Sequence, residues 1–346
     1  MQKVLAEINL AHLRSNARLF SERTKRPLYA VVKADAYGHG AEEIALALVG
    51  QVKGFAVSLI EEGLTIQTAA CGREILVFTP PMDERELAQM QKSGLIATVA
   101  SLDCAKMLDG VCKKNKRPLR VHIKCNTGMN RYGVELSEMQ AVCRLLQSNP
   151  YVAVEGLYSH LYAHKEKTAK NQRLRFLEAQ AVCKTYFPTV CCHLSATYGA
   201  LLGEEFAFDA VRIGIGLYGY LPDDIPTSWL PLKKVMQIKA KCTEERIYAF
   251  GGAGYAPCSM KVGEKMQTFR CGYADGLAYV KAQQELPVLS APCMDACVCC
   301  ETEVQEGEWK AVMTDARECA KTARTIGYEI LCRATARAEC VYGYDG

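Results

Sequence analysis

No apolar stretch in the sequence is long enough to span a bilayer, which excludes a transmembrane helix. Nor does either sign of charge prevail. The chain has 42 Lys and Arg against 38 Asp and Glu, and the basic residues form no long run, so neither nucleic acid nor a membrane surface is the expected partner. Internal repeats and low-complexity tracts are missing, which excludes solenoids and largely disordered chains. The opening MQKVLAEINL carries no basic-then-apolar leader, so a cytoplasmic protein is expected. What remains is a chain of 346 residues, 49% of them apolar, enough for about two domains of ~100–200 residues each.

Cysteine is abundant, at 18 residues. In a short secreted chain an even count would imply a disulfide framework. This chain is long enough to do without one, and its cysteines sit mostly in apolar runs such as Val190-Cys191-Cys192-His193-Leu194. They read as small hydrophobes in a reducing, cytosolic compartment. The cluster Cys293, Cys297, Cys299 and Cys300 has neither two CxxC pairs nor a nearby histidine, and its alternation suits a half-buried strand better than a metal centre. No metal is expected.

Eight short β-rich runs, at 28–34, 54–58, 73–78, 95–101, 119–125, 152–160, 189–196 and 210–219, alternate with helix-period segments such as Leu136, Met139, Cys143 and Leu146. Each intervening segment is long enough to cross over between parallel strands. Eight such units predict an α/β fold with a closed (β/α)8 TIM-type barrel over residues 1–225; an open α/β sheet is the alternative. After Tyr220 the Pro-bearing LPDDIPTSWLP leads into short strands at 235–242 and 265–271 with glycine-rich turns, a C-terminal mainly β domain over 226–346. The first few residues can pair with that domain. Residues 314–322 read as helix and 326–341 as a final strand.

In such barrels the reactive groups stand at the C-terminal ends of the strands. Lys33 stands at the end of the first run, Lys124 at the end of the fifth with Arg131 just beyond, His160 ends the sixth, Ser195 stands at the end of the seventh, and Arg212 lies in the eighth. A lysine there is either a snorkelling surface residue or a desolvated amine able to form a Schiff base with a carbonyl cofactor. Gly214, Gly216 and Gly219 permit close backbone approach, and N–H groups at a strand end can hold a phosphate, with Ser195 and Tyr37 adding hydroxyls. Together these describe a pocket for a phosphorylated aldehyde, with Lys33 on its carbonyl and Arg212 on its ring nitrogen.

Seven stretches in order, AVVKADAYGHG, KCNTGMNRYGV, EGLYSHL, VRIGIGLYG, CGYADG, PCMD and RTIGYEIL, resemble alanine racemases, pyridoxal 5'-phosphate enzymes with an N-terminal barrel and a C-terminal β domain. The resemblance covers essentially the whole chain. It implies interconversion of L- and D-alanine in a homodimer, with Lys33 as the cofactor lysine and one catalytic base. Tyr255 would be the second base, offered by the partner subunit. Tyr37, Ser195, Gly214, Ile215 and Tyr328 match cofactor-phosphate positions, and Arg212 matches the arginine at the ring nitrogen. Arg131 and the backbone N–H of Met294 match substrate-carboxylate contacts. Lys124 falls where many members carry a carbamylated lysine, and His160 where a histidine bonds the catalytic tyrosine.

Racemisation removes a proton from one face of Cα and returns one to the other, which suits two opposed bases. The resemblance leaves open a biosynthetic role, supplying D-alanine to peptidoglycan, or a catabolic one. Serine or broad-specificity racemases related to vancomycin-resistance systems share the plan, but they carry a smaller residue where Tyr328 stands; its bulk favours alanine. A non-catalytic pyridoxal-phosphate carrier resembles the first domain alone. The family's arginines after GYADG and before CMD are absent here, Leu194 replaces the usual asparagine before Ser195, and Ala-Pro follows Tyr255.

Overall fold

The computed structural model describes residues 4–162, 165–222, 225–257, 260–277, 292–299 and 304–343. Cys300 and most of the stretch after GYADG lie outside them. Two compact units are present, one comprising residues 14–34 and 41–232, the other residues 1–13, 35–40 and 233–346.

The first strand, β1 (Val4–Asn9), alternates buried and half-buried residues and belongs to the second unit. The first unit is built on β2 (Leu28–Val31), β3 (Gly54–Val57), β4 (Glu74–Val77), β5 (Ala97–Val99), β6 (Leu119–Lys124), β7 (Val152–Tyr158), β8 (Cys191–His193) and β9 (Val211–Ile213). All its pairings are parallel, in two runs ordered β4-β3-β2-β9 and β5-β6-β7-β8. A parallel bridge between Leu76 and Ile96 joins the runs on one side, and Arg212 N donates to Ser195 O at 2.9 Å on the other. This is the expected barrel. β2 and β3 are buried along their whole length, as strands covered on both faces must be.

Helices return the chain between strands and bury one face each: Met139, Val142, Cys143 and Leu146 on Leu136–Gln147, and Leu108, Val111 and Cys112 on Leu102–Asn115. Their ends are set locally. Ser101 caps by accepting from Cys104 N at 3.0 Å, and Asp83 accepts from Arg85 N and Glu86 N at 2.8 and 2.9 Å.

In the second unit β10 (Met236–Ile247) pairs with β1, with β13 (Lys265–Phe269) and with β15 (Trp309–Met313), all antiparallel. β11 (Gly252–Ala253) and β12 (Ala256–Pro257) form a small ladder, β14 (Cys297–Cys299) pairs with β13, and β16 (Glu339–Gly343) runs parallel to β1. The first residues therefore do pair with the β domain. The strand expected at 326–341 is instead a helix, Gly327–Ala334, followed by β16. Its buried residues Gly327, Ile330, Leu331 and Ala334 fall at i, i+3, i+4 and i+7, a helical spacing that outweighs the period-2 alternation of Ile326, Tyr328 and Ile330.

Among the sixteen described cysteines all are free thiols and ten are buried, in keeping with their reading as packing residues. Cys297 and Cys299 are buried on β14, the half-buried strand expected there. Among the described residues no helix is long and apolar enough to cross a membrane.

Candidate active site

Lys33 stands two residues beyond β2, half-buried. The backbone that follows is unusual. Ala34, Asp35, Ala36 and Tyr37 have φ of 51°, 51°, 53° and 55°, so the turn Lys33–Gly38 is a left-handed helical turn made without glycine until Gly38. That conformation costs roughly 1–2 kcal/mol per L-residue, and a run of four persists only where surrounding bonds enforce it. One enforcing group is Glu62, whose carboxylate accepts from Ala34 N at 2.7 Å and from Ser58 N and Leu59 N at 2.6 and 3.0 Å. A single side chain thus ties the residue after Lys33 to the end of β3. Sequence reasoning missed Glu62; the available signal was its position at the start of a helix, where a glutamate reaches back to free N–H groups.

Lys124, the last residue of β6, is buried, with its amine 5.5 Å from the ring centres of Tyr132 and Tyr158. Burial, then the charges of Arg131, Arg212 and Lys33, bring its pKa down to about 7. His160, two residues beyond β7, is pushed down to about 3 by burial and by Arg212, Lys124, Arg131 and Lys33. It is neutral at any physiological pH. Burial is the larger cause of both shifts, and the second is shared: Lys33, Lys124, Arg131 and Arg212 converge at the C-terminal ends of the barrel strands. Arg131 is exposed, and among the described residues it has no hydrogen bond or ion pair. It borders a groove of about 760 Å³ lined also by Met107, Asn126, Asn130, Tyr132 and Glu135. Lys33 and Arg212 do not line that groove.

Arg212 is buried on β9. Nη1 donates to His193 O and Nδ1 at 2.7 and 2.8 Å, and Nη2 to Ser159 O and Leu194 O at 2.5 and 3.0 Å. All these partners are neutral. Burial lowers the guanidinium to about 10, so it remains charged at neutral pH. An arginine has only donors, so His193 must accept at Nδ1 and carry its proton at Nε2, which then donates to His122 Nδ1 at 3.0 Å. His193 also stacks on Tyr158, centroids 5.1 Å apart, and Tyr158 is fixed by the 2.7 Å bond of its hydroxyl to Thr98 Oγ1. A Cβ at Gly156 would run into the His122 ring. His122, His193 and Tyr158 were not singled out from the sequence, because only the closed barrel brings them behind Arg212.

Ser195 lies two residues beyond β8, buried, and its hydroxyl donates to Phe206 O at 2.6 Å. In the single chain the hydroxyl proton is thus directed to a backbone carbonyl. Thr197 Oγ1 accepts from Gly216 N at 3.3 Å and keeps its own proton. Gly214 precedes the 3-10 turn Ile215–Tyr218, where Leu217 N closes the turn on Gly214 O at 2.9 Å and the N–H of Ile215, ahead of it, has no partner within the turn.

In the other unit Tyr37 is buried and Tyr328 half-buried, with ring centroids 6.1 Å apart. A Cβ at Gly38, φ 78°, would lie 2.5 Å from Leu331 O, so only glycine ends the left-handed turn there. Tyr255, in the turn between β11 and β12, is 80% exposed, and Met294 is 59% exposed. Both side chains are exposed in the single chain, and the Met294 carbonyl accepts from Ala274 N at 2.9 Å.

The family model of the alanine racemase N-terminal domain matches residues 8–222, and that of the C-terminal domain residues 234–342. The chain belongs to the alanine racemase family. It is accordingly an isomerase. An alanine racemase from Clostridium novyi is 30% identical over 389 aligned positions, covering 100% of this chain and 97% of the relative. One from Synechocystis is 30% identical over 359, covering 96% of each. Among solved structures, alanine racemase of Clostridium difficile 630 has a TM-score of 0.89 at 25% identity, over 99% of this chain and 96% of that one. The biosynthetic alanine racemase of Pseudomonas aeruginosa has a TM-score of 0.87 at 25% identity, over 99% and 100%. Such likeness over both domains favours the full racemase over a carrier built on the barrel alone.

Proposed function

We propose that this protein interconverts L- and D-alanine with pyridoxal 5'-phosphate, using Lys33 and Tyr255 as bases on opposite faces of the substrate. The observation that carries the reading is the convergence of Lys33, Lys124, Arg131 and Arg212 at one end of the barrel, where Lys124, which is buried, and His160 are each close enough to the other cations to be pushed further down by them. The residues present fit the cofactor. Lys33 supplies an amine for its aldehyde, the backbone at Gly214 and Ile215 and the Thr197 hydroxyl supply phosphate donors, and Tyr37 and Tyr328 match further contacts. Arg212, held only by neutral partners, keeps an undivided positive charge for an unprotonated ring nitrogen.

When bound, pyridoxal phosphate draws electrons from the amino acid and makes its Cα proton acidic enough for a side chain to remove. Arg131, exposed and among the described residues without a hydrogen bond or ion pair, binds the substrate carboxylate, and Met294 N–H from the partner subunit adds a second donor. The Lys33 amine takes or returns the proton on one face and the Tyr255 phenol does so on the other. His160 stays neutral and can bond that phenol, aided by the charge of Arg212. Arg212, which stays protonated, would hold the ring nitrogen as a donor without giving up its proton.

The named relatives act on alanine, and the phenol of Tyr328 favours a methyl side chain over hydroxymethyl. One small group in a pocket is worth ~1–3 kcal/mol, so a preference of about 10–100-fold in kcat/KM for L-alanine over L-serine is expected. Loss of optical rotation from each amino acid, with Lys33→Ala as control, measures it. A serine preference, or undiminished activity of Lys33→Ala, contradicts the reading.

A further inference from the structure

The loop that carries Arg131 is closed at its base by backbone bonds. Val134 N donates to Lys124 O at 2.8 Å and Asn126 N to Val134 O at 2.9 Å, and a Cβ at Gly133, φ 143°, would lie 2.5 Å from Asn126 N. Within this frame one side chain holds both halves of the loop. Asn126, buried, accepts at Oδ1 from Gly128 N at 3.0 Å and Asn130 N at 3.2 Å, on the way out to Arg131. Its Nδ2 donates to Asn130 Oδ1 at 2.9 Å, still on the outgoing half, and to Glu135 Oε1 at 2.6 Å, on the way back. An amide has two donor hydrogens and an acceptor oxygen with two lone pairs, and here every one is used. Arg131 lies between the two sets of anchors and among the described residues has no bond of its own. Its guanidinium is therefore placed by the loop alone.

We propose that Asn126 is a positioning residue that sets the reach of Arg131 and so the affinity for the substrate carboxylate. This rests on the reading of Arg131 as the carboxylate contact. The amide is required because the two halves of the loop ask for opposite chemistry: backbone N–H groups need an acceptor and the Glu135 carboxylate needs a donor. An aspartate at 126 keeps the first and loses the second, and it sets two carboxylates against each other where a 2.6 Å bond now stands. The outgoing half keeps its two backbone bonds and loses the one to Asn130 Oδ1, while the returning half is released.

The test compares kcat and KM for L-alanine in the cofactor-loaded enzyme and in N126D, N126D/E135Q and R131A, with thermal unfolding in parallel. R131A is expected to raise KM at least about tenfold, the loss of a charge-assisted pair. N126D is expected to raise KM about five- to tenfold with kcat within about twofold, for the loss of two loop hydrogen bonds. In N126D/E135Q the glutamine amide donates to the new carboxylate, and KM returns to within about twofold of the parent. An unchanged KM in N126D, a rise that E135Q does not reverse, or an equal fall in kcat overturns the proposal. If R131A itself leaves KM unchanged, the reading of Arg131 falls and the proposal with it; a raised KM in R131A beside an inert N126D overturns the proposal alone.

Discussion

Lys124 shows how a residue's chemistry follows from its neighbours. A buried amine beside Arg131, Arg212 and Lys33, with pKa near 7, is about half neutral at physiological pH, and the neutral amine is the form that adds carbon dioxide. A carbamate there would replace mutual repulsion with Arg131 by attraction. Removing dissolved carbon dioxide should raise KM for alanine severalfold at pH 8, with bicarbonate restoring it, while Lys124→Ala should not respond; equal behaviour of both enzymes would count against carbamylation. Because the folded-state pKa lies below that of a free lysine, the unfolded chain binds more protons between pH ~7 and ~10.5. The contribution of Lys124 to stability therefore improves as pH rises through that window. Residues like this, ending strands, were legible from the sequence: Lys33, Lys124, His160 and Arg212 all stand at or near C-terminal strand ends. Glu62, Asn126 and His193 were not, since each is defined by a partner that only the fold supplies. Ser195 was legible in place but its bond to Phe206 O was not, because nothing in its neighbours along the chain reveals that carbonyl.

Elements were legible where their period was unambiguous. Each of the eight expected barrel runs contains a strand, and the last shortens to Val211–Ile213 because Gly214 turns the chain into a 3-10 helix. The strand read at 326–341 failed because short apolar runs satisfy two periods at once. The left-handed turn after Lys33 was invisible for a different reason: ADAY contains no glycine, and local propensity gives no warning of positive φ. That turn yields a prediction of unusual sign. In a right-handed helix Ala→Gly costs about 1 kcal/mol, but at exposed Ala34, φ 51°, glycine relieves strain, so Ala34→Gly should stabilise by about 1 kcal/mol and Ala34→Val should destabilise. Thermal denaturation of the two variants decides it; a lower midpoint for Ala34→Gly would mean the backbone there is not left-handed.

At the scale of the whole molecule, Tyr255 and Met294 are exposed in the single chain. A homodimer in which each site takes Lys33 from one subunit and Tyr255 from the other accounts for that exposure, and two-fold pairing makes the exchange reciprocal. The cysteines take no part in this account; ten of the sixteen described are buried as packing groups. The most direct measurement mixes two separately inactive enzymes, Lys33→Ala and Tyr255→Phe, under conditions that let subunits exchange. In a mixed dimer one site recovers both bases and the other has neither, so random pairing of equal amounts should restore alanine racemisation to about a quarter of the parent's activity. Activity no greater than the sum of the two variants alone, with exchange demonstrated, would contradict a site in which Lys33 and Tyr255 of different subunits act as the opposed bases.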